Sequence, residues 1–364
     1  MTTKILFFIP SLELGGSERQ LATLIEGIAR QRAELVPYLR VLTMLKGNGP
    51  FAAPIRDLGI PVDCLNLHST YDPRGPVRLR SYLRRVAPSA IHSSLAPANV
   101  VAGLARSKGT RVVWNFGNEG RNQARRNILG WATESISRIF ARRADVVLCN
   151  AESVARYLHS TGFAEGQVHI IENGIDTVRF RPDATRRLET RTALGIEPEQ
   201  ILILGMGRSV PEKDWPTFVE TVAELRRRNS AVSAIIAGGA SEAERNAFEQ
   251  MASDLGAAGC VRHLGPQSAP ERLLNACDVF LLASVHEGGP NVVLEALASG
   301  TLVAATAVGD VPLLLPATVL APSGDPHALA DAVERAIESP PVALPERYQQ
   351  SVFVDRTLQV VLVE

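Results

Sequence analysis

The sequence predicts an α/β protein with two domains, each built on a parallel β-sheet. Continuous apolar runs alternate with amphipathic stretches along the chain, a pattern typical of strands buried on both faces and of the helices that cover them. The length of 364 residues fits two domains of ordinary size. The periodic pattern lapses once, within 176–200, and starts again at Ile201. We therefore predict two Rossmann-like domains, at 1–176 and 177–345.

Apolar runs and helical stripes predict the elements of the first domain in order. The run Ile5–Ile9 predicts the first strand, and an apolar stripe from Leu21 to Ile28 predicts the helix that follows, with Ser17 at its N-cap. Further strands are predicted at 35–44, 60–65, 111–116 and 144–149, and one more ends at His92.

The second domain repeats this rhythm. Strands are predicted at 201–204, 232–237, 278–283 and 301–305, with helices at 215–225 and 325–337. A proline-marked break follows Glu338, and the last stretch, 346–364, is amphipathic. We place the boundary between the domains within 176–200, where the polar run before Ile201 lies.

Composition excludes several classes of protein. Apolar residues make up 46% of the chain and charged residues 21%, which excludes wholesale disorder and a coiled coil. We find no apolar stretch long enough to span a membrane and no signal-peptide pattern. The four cysteines lie far apart, without histidines at metal-ligand spacing, so we expect reduced thiols, no metal and a cytoplasmic location.

Charge is divided unevenly along the chain. Residues 1–180 contain 23 Lys and Arg against 14 Asp and Glu, although the whole chain carries 38 of each kind. This surplus indicates an anionic partner for the first half, either a membrane surface, a lipid phosphate or a nucleic acid. A solvated basic surface is an equally good interpretation.

Three segments carry residues suited to chemistry, and the first is Gly15-Gly16, directly after the first predicted strand. Ligands of open parallel sheets bind at the carboxyl ends of the strands, and glycines let a ligand approach the backbone closely. No third glycine follows at the spacing of a dinucleotide fingerprint. The pair therefore predicts either a ligand contact or a tight turn from strand to helix.

The second segment is GMGRSVPEKD, after the first strand of the second domain. Arg208 and Lys213 place two cations at the carboxyl end of that strand, where they suit an anionic ligand such as a diphosphate. Lysine is scarce in this chain, with four against 34 arginines, which favours a specific role for Lys213. Solvated loop cations without a function are the alternative interpretation.

The third segment is HEGGPNVVLEALASG. It follows an apolar strand and opens a helix, with Pro290 in the first turn. Gly288 and Gly289 leave the amides at the start of that helix uncovered for an anion. Glu287 and Glu295 suit a ribose and a sugar, because carboxylates accept hydrogen bonds from paired hydroxyls. The segment predicts a sugar-nucleotide site; a capped helix with solvated glutamates is the alternative.

The spacing of Glu287 and Glu295, E-x7-E, resembles the signature of the retaining glycosyltransferases of family 4 (GT4), which have the GT-B fold. The segments GGSER, GRSVPEK and IIENGID are similar to further segments of that family, so the resemblance spans nearly the whole chain. It implies two facing Rossmann-like domains with an interdomain cleft. It also implies metal-independent chemistry and a C-terminal helix, within 346–364, that packs back on the first domain.

The same resemblance implies roles for individual residues. Glu295 is expected to hold the ribose diol and Glu287 the hydroxyls of the transferred sugar, while Gly16 approaches the diphosphate from the first, acceptor-side domain. The catalytic group that it implies consists of Glu287, Arg208 and Lys213. The donor site in the second domain and its partner glycines consist of Gly15, Gly16, Arg208, Lys213, Glu287, Gly288, Gly289, Pro290, Asn291 and Glu295.

The chain departs from the family in the first domain. Many members carry a His after the strand that corresponds to 111–116, and this chain has VVWNFGNEGRN there. The candidates to line the cleft are Asn115, Asn118, Glu119 and His92. A buried structural histidine is the simpler interpretation of His92. A front-face reaction, in which the leaving phosphate takes the acceptor proton, needs no protein base.

The expected function is retaining transfer of a sugar from a nucleoside-diphosphate sugar, most simply UDP-linked, to a hydroxyl acceptor, without a cofactor. A lipid-linked saccharide or a small glycoside is the expected acceptor, and no nucleic acid is expected as a partner. Arginine-rich amphipathic stretches at 74–85 and 121–143 favour peripheral contact with anionic lipid at the inner membrane face. A sugar-nucleotide 2-epimerase-like isomerase and a non-catalytic sugar-nucleotide-binding subunit are the alternatives.

Overall fold

The computed structural model describes residues 5–13, 15–117 and 141–362. The chain divides into two compact units, Met1–Gly174 together with Arg347–Glu364, and Ile175–Glu346. The first unit is therefore discontinuous along the chain, because its last part follows the whole of the second unit. The acceptor and donor roles assigned to the two domains stay predictions.

The described strands all belong to two parallel sheets. In chain order they are β1 (Ile5–Ile9), β2 (Leu39–Thr43), β3 (Val62–Cys64), β4 (Ala90–Ser94), β5 (Arg111–Phe116), β6 (Val146–Cys149), β7 (Val168–Ile170), β8 (Ile201–Met206), β9 (Val232–Ala237), β10 (Val261–His263), β11 (Val279–Leu282), β12 (Leu302–Thr306) and β13 (Leu320–Ala321).

Helices separate most of these strands, as parallel pairing requires. The described helices are α1 (Gly16–Gln31), α2 (Ala52–Asp57), α3 (Gly75–Val86), α4 (Ala96–Ala105), α5 (Glu152–Ser160), α6 (Ala184–Leu194), α7 (Trp215–Arg228), α8 (Glu242–Asp254), α9 (Pro270–Ala276), α10 (Asn291–Ala298), α11 (Pro326–Ile337) and α12 (Gln350–Val361). Short 3₁₀ helices lie at Ala33–Tyr38, Ala141–Arg143, Glu165–Gln167, Pro211–Lys213, Val311–Leu313, Ala317–Val319 and Glu346–Tyr348.

The sheet of the first unit has, in the described residues, the strand order β3-β2-β1-β4-β5-β6-β7. Ile5 lies opposite Leu39 on one side and Ala90 on the other, so β1 is central. Its side chains alternate between two buried faces. Leu6 packs on the side of α3 and α4, and Phe7 on the side of α1 and α12.

The sheet of the second unit has, within the described part of the chain, the order β10-β9-β8-β11-β12-β13. The central strand β8 pairs in parallel with β9 and with β11. The loops after β8, β9 and β11 therefore leave the sheet at one edge, where ligands of open α/β sheets bind. The doubly wound α/β fold class predicted from the sequence is confirmed.

The last helix, α12, packs against α1 within the first unit. A Cβ added to Gly27 of α1 would lie 2.6 Å from Val354 Cγ2, so the two helices touch at a glycine. Gln350 joins the contact through hydrogen bonds from Arg30 Nη1 at 2.9 Å and to Thr23 O at 2.8 Å. Arg356 Nη1 lies 2.8 Å from Glu172 Oε2 and ties the same helix to the segment after β7.

Local structure differs from the sequence analysis at three places. The polar run at the predicted domain boundary contains a helix, α6, that its apolar pattern did not indicate. Ser17 does not cap α1, since the helix begins at Gly16 and Gly15 occupies the N-cap without a side-chain hydrogen bond. The strand predicted at 35–44 is shorter than expected, because a 3₁₀ helix precedes β2.

None of the helices in the described part of the chain combines the length and the apolar character that crossing a bilayer requires.

Candidate functional site

Two loops of the second unit meet at the carboxyl ends of the adjacent strands β8 and β11. The loop after β8 runs from Gly207 to Asp214, and the Asp214 side chain accepts a hydrogen bond from Thr217 N–H at the start of α7. The loop after β11 is held to it by Val285 N–H, which donates to Glu212 O at 2.9 Å. This contact brings the two predicted motif segments together.

Lys213 and Glu287 form an ion pair at this junction. Lys213 Nζ lies 2.6 Å from Glu287 Oε1, and Ser284 Oγ donates to the same oxygen at 2.7 Å. The two side chains are only 18% and 15% exposed, so solvent screens their attraction weakly. In this structure each charge neutralises the other.

Arg208 differs from Lys213 in its surroundings. Its carbonyl oxygen accepts a hydrogen bond from Trp215 Nε1 at 3.2 Å, which fixes the main chain. The side chain is exposed, and no hydrogen bond or ion pair to another described residue holds its guanidinium. It is therefore a cation available to an anionic ligand.

The turn at Glu287-Gly288 is packed against the loop after β12. Gly309 has φ +54°, and a Cβ there would lie 2.1 Å from Glu287 O. Asp310 N–H donates to Gly288 O at 3.3 Å. Because no side chain fits at Gly309, this loop fixes the direction of the backbone that leads into α10.

The start of α10 lies one residue later than predicted. Pro290 occupies the N-cap, with φ −76° and ψ 98°, and the first helical residue is Asn291. The first hydrogen bond of the helix is donated by Val293 N–H to Pro290 O, at 3.0 Å. The main-chain N–H groups of the two preceding residues come before this bond and point out of the helix N-terminus. Glu295, at the fifth position of the helix, is 1% exposed. Glu287 and Glu295 therefore differ strongly in exposure.

The glycine pair of the first unit lies at the start of α1. A Cβ added to Gly15 would lie 2.1 Å from Glu18 Oε2, so the Glu18 carboxylate folds over the helix N-terminus. A Cβ at Gly117, just after β5, would lie 3.4 Å from Ser17 Oγ. The segment that follows β5 therefore lies against the first turn of α1.

His92 lies in the core of the first unit and not at the end of its strand. It is the third residue of β4, 3% exposed, with its ring 5.6 Å from the Phe7 ring. Burial lowers the pKa of its imidazole to about 4. Nδ1 has no hydrogen-bond partner within the described residues. The simpler interpretation, a buried neutral histidine, agrees with this environment.

Asn115 is a half-buried residue of β5, and its carbonyl oxygen accepts from Asn99 Nδ2 at 3.2 Å. Asn99 Oδ1 also accepts from Ser93 Oγ at 2.7 Å, so a buried polar network lies beneath this strand end. Asn118 and Glu119 lie outside the described residues. The lining roles of all these side chains stay predictions.

The second unit also contains a cavity at the opposite edge of its sheet. Its volume is about 460 Å³, and Ile201, Asp278 and Leu302 line it. Because these residues begin or precede strands, the cavity lies at the amino ends of the strands, away from Arg208.

Among the described residues, no three His, Cys, Asp or Glu side chains group closely enough to hold a metal ion. The metal independence of the chemistry stays a prediction.

Sequence reasoning missed the residues that hold the motif loops. Ser284 and the pair Ser209 and Glu244 make hydrogen bonds to or within these loops. A signal existed for part of this arrangement, since Ser241 and Glu244 form the S-x-x-E pattern of a capping box. Ser209, which donates to Glu244 from the loop after β8, lies in no local sequence pattern that predicts this bond.

Two family models match the chain in succession. "Glycosyltransferase Family 4" matches residues 14–179, and "Glycosyl transferases group 1" matches residues 186–352. The chain belongs to the family 4 glycosyltransferases.

Curated proteins similar to this chain include two bacterial glycosyltransferases. The D-inositol 3-phosphate glycosyltransferase of Mycobacterium ulcerans is 35% identical over 176 residues, which cover 47% of this chain and 37% of the relative. The lipopolysaccharide core biosynthesis glycosyltransferase LpsE of Rhizobium meliloti is 31% identical over 167 residues, which cover 46% and 45%. The matched region thus spans less than half the length of these relatives.

Solved structures resemble the chain over its whole length. HepE of Anabaena, solved in complex with UDP and glucose, has a TM-score of 0.83 at 19% identity and covers 100% of both chains. WaaG, a glycosyltransferase involved in lipopolysaccharide biosynthesis, has a TM-score of 0.70 at 16% identity and covers 99% of this chain and 100% of its own. The fold is therefore of the GT-B type.

Proposed function

We propose that the chain transfers a sugar from a UDP-sugar to a hydroxyl acceptor, with retention of anomeric configuration and without a metal ion. The observation that carries this proposal is the junction of the loops after β8 and β11. It combines an exposed cation, Arg208, with the Lys213–Glu287 pair and the N-terminus of α10.

The chemistry of this junction suits departure of a diphosphate. When the bond between the sugar and the diphosphate breaks, negative charge builds on the leaving group. Two side-chain cations and the positive end of a helix dipole stabilise that charge. The Glu287 carboxylate, already next to Lys213, accepts hydrogen bonds from sugar hydroxyls.

A front-face course of reaction is supported by the position of His92, the histidine predicted to line the cleft. His92 is buried and neutral in the core of its sheet, which makes it a poor proton acceptor for a substrate hydroxyl. In a front-face reaction the leaving phosphate oxygen takes the acceptor's proton, and the new glycosidic bond forms on the side from which the diphosphate leaves. No protein base is required.

UDP is proposed as the nucleotide because HepE of Anabaena, which has the same fold, was solved with UDP and glucose and with UDP-glucose. The acceptor is proposed to be a saccharide or cyclitol hydroxyl. This proposal draws on relatives whose names specify D-inositol 3-phosphate and lipopolysaccharide core.

The test starts from a thermal-shift panel of UDP-, GDP- and ADP-sugars on the wild-type chain. We expect a UDP-sugar to raise the melting temperature most. Transfer from that donor to candidate acceptors is then followed by NMR of the anomeric proton, with and without EDTA. We expect retention and an unchanged rate in EDTA.

Each alternative function has its own signature in this experiment. Inversion at the anomeric carbon contradicts the front-face course. A donor sugar that is isomerised without any acceptor identifies a 2-epimerase. Donor binding with neither transfer nor hydrolysis, over the whole acceptor set, identifies a binding subunit.

Peripheral contact with an anionic membrane surface is a second part of the proposal. It is supported by α3, on which Val77 is 72% exposed and Arg84 lies on the same face two turns later. Several other arginines of this region hold the local structure instead. Arg78 donates to Leu65 O at 2.7 Å and Arg80 to Leu104 O at 3.1 Å. Residues 121–140 of the second arginine-rich stretch lie outside the described ranges.

A further inference from the structure

Hydrogen bonds connect the loop that carries Arg208 to the start of α8. Ser209 Oγ donates to Glu244 Oε1 at 2.6 Å. Glu244 Oε2 accepts from the N–H and from the hydroxyl of Ser241, at 2.8 and 2.7 Å. Glu244 N–H donates to Ser241 Oγ at 3.2 Å, which completes a capping box. One carboxylate oxygen of Glu244 therefore accepts hydrogen bonds at the start of α8, and the other accepts one from the loop after β8.

The main chain of the loop after β8 is also in direct contact with that of the loop after β9. Gly207 N–H donates to Ala237 O at 3.0 Å, and Ser209 N–H donates to Gly239 O at 2.8 Å. Between these bonds, a Cβ added to Gly238 would lie 1.6 Å from Gly207 O. The loop after β9 thus continues the pairing of β8 and β9 beyond the ends of the strands.

The opposite side of the Arg208 main chain is fixed as well. Arg208 O accepts from Val210 N–H at 3.0 Å and from Trp215 Nε1 at 3.2 Å. The main chain around Arg208 is therefore held by the loop after β9 on one side and by Trp215 of α7 on the other. Only the exposed side chain of Arg208 remains free to follow a ligand.

The Glu244 carboxylate keeps its charge over the physiological pH range. The hydrogen bond from the Ser209 hydroxyl, together with those from Ser241, lowers the pKa of this carboxyl to about 2. An ionised acceptor makes the Ser209 bond charge-assisted and so stronger than a bond between neutral groups.

We propose that Ser209 and Glu244 are positioning residues, which hold the Arg208 loop in the place where its guanidinium meets the diphosphate of the donor. Neither residue touches the ligand. The inference rests on the proposed function, because it assumes that a nucleoside diphosphate is what Arg208 binds. It adds to that function the element that keeps the cation aligned as the leaving group departs.

The experiment compares the full-length variants Ser209→Ala, Glu244→Ala and Glu244→Gln with the wild-type chain. Calorimetry gives the affinity for UDP, and steady-state kinetics give kcat/KM with the donor identified by the panel. We expect Ser209→Ala and Glu244→Ala each to lower both quantities roughly tenfold, since misplaced binding groups lose rate steeply. Glu244→Gln should restore most of the loss, because glutamine also completes a capping box and accepts a hydrogen bond.

Two control variants separate positioning from helix stability. Ser241→Ala removes the cap of α8 and keeps the bond between Ser209 and Glu244. Glu242→Gln changes an exposed glutamate of the same helical turn, which has no partner among the described residues. We expect UDP affinity within about twofold of wild type for both, although Ser241→Ala lowers thermal stability.

The outcomes are distinguishable from a failure of the proposed function. A wild-type chain that binds no UDP overturns the function and this inference together. A wild type that binds UDP beside a Ser209→Ala variant of equal affinity overturns the inference alone. An equal loss of affinity in Ser241→Ala also overturns it, because helix stability then accounts for the effect.

Discussion

The Lys213–Glu287 pair places opposite charges 2.6 Å apart at the point where a donor diphosphate is proposed to bind. Under this proposal, diphosphate oxygens would compete with Glu287 for the Lys213 ammonium, and sugar hydroxyls would then replace the ammonium at the carboxylate. Donor binding would therefore be an exchange of partners between two charges that are already largely buried.

A first prediction concerns Lys213→Ala. Turnover should fall roughly 10²- to 10³-fold, as when one preorganised donor to a developing anion is removed. Donor affinity should fall much less, because the diphosphate carries less charge before the bond breaks. Steady-state kinetics beside calorimetric donor affinities measure the two effects. Lys108→Ala is the control, since Lys108 is exposed and has no described partner. Equal losses of affinity and turnover would point to ground-state binding only.

A second prediction concerns His92 and the pH dependence of stability. The imidazole has a pKa of about 4 in the folded chain, whereas the ordinary pKa of histidine is 6.5. Between these values the unfolded state binds a proton that the folded state does not, so the free energy of unfolding falls as the pH drops from 6.5 toward 4. The group accounts for roughly 2 to 4 kcal/mol of this loss.

The measurement is urea unfolding of the full chain at pH 7.5 and at pH 5. His92→Leu should flatten the difference between the two conditions. His68→Gln, at an exposed histidine, should leave it unchanged. A His92→Leu chain with the wild-type pH dependence would show that other groups cause it.

At the scale of secondary structure, α6 is held by charge and not by an apolar stripe. Its buried positions are Thr190 and Arg191. Arg191 Nη1 lies 3.1 Å from Asp278 Oδ2, and Arg187 Nη2 lies 2.6 Å from Asp278 Oδ1. Both arginines also donate to carbonyls at the end of α9, and Asp278 accepts from Leu202 N–H at 2.7 Å. The Asp278 carboxylate thus joins α6 to β8, and the two arginines join α6 to the end of α9.

A third prediction follows from this junction. Asp278→Ala should lower the free energy of unfolding by about 2 to 4 kcal/mol, because it leaves the buried Arg191 charge without its counter-charge. Glu189→Ala is the control, since Glu189 pairs with Arg272 at the surface, with both side chains about half exposed. That pair should contribute less than about 1 kcal/mol. Similar urea midpoints for the two variants would contradict the junction's role.

A fourth prediction concerns the contact of α1 with α12. Gly27→Ala should destabilise the chain, although alanine at the middle of a helix is normally favoured over glycine by about 1 kcal/mol. The added methyl group has only 2.6 Å to Val354 Cγ2. Adding Val354→Ala should recover part of the loss, so the two changes should be non-additive in thermal unfolding. Additive losses would mean that the two residues do not press on each other.

The predictable elements are those whose apolar pattern is long. β5 and β9 have the predicted bounds, because each has six residues with a buried apolar stretch and is paired with a strand on both sides. α6 was not predictable, since its arginines are buried through ion pairs that a periodicity of apolar residues does not record. β10 and β13 have three and two residues, too few for a period to be visible.

The candidate site was predictable where one segment carries the chemistry. Arg208, Lys213 and the two glutamates stand in short motifs, so their residue types point to anion and hydroxyl binding. The pairing of Lys213 with Glu287 depends on β8 and β11 being neighbours, although 74 residues separate the two side chains in sequence. The bond from Ser209 to Glu244 depends in the same way on the neighbouring strands β8 and β9.

For the whole molecule, the charge surplus of residues 1–180 has been partly accounted for by local structure. Arg74 lies 2.6 Å from Asp72, and Arg106 lies 2.5 Å from Asp145. Arg84 is exposed and has no partner among the described residues. A membrane surface would therefore meet α3 through Arg84 and the exposed Val77 rather than through every arginine of that stretch.

A fifth prediction tests this surface with vesicles. The wild-type chain should co-sediment with vesicles that contain a quarter anionic lipid, at low salt, and should be released at high salt. The double variant Val77→Ser with Arg84→Gln should bind less. Arg227→Gln is the control, because Arg227 pairs with Glu224 on an exposed helix of the second unit. Vesicle binding that is equal for all three chains would place the contact elsewhere, and no pelleting at low salt would leave a soluble acceptor as the better proposal.

The return of α12 to α1 has a consequence for biosynthesis. The second unit is continuous from Ile175 to Glu346, so all of it has left the ribosome before Gln350–Val361 emerges. Until then the face of α1 around Gly27 lacks its cover, and the apolar core to which Phe353, Val354 and Leu358 belong is incomplete. Synthesis of the first unit therefore starts before that of the second unit but ends after it. Of the two units, the first is the later one to acquire its complete core.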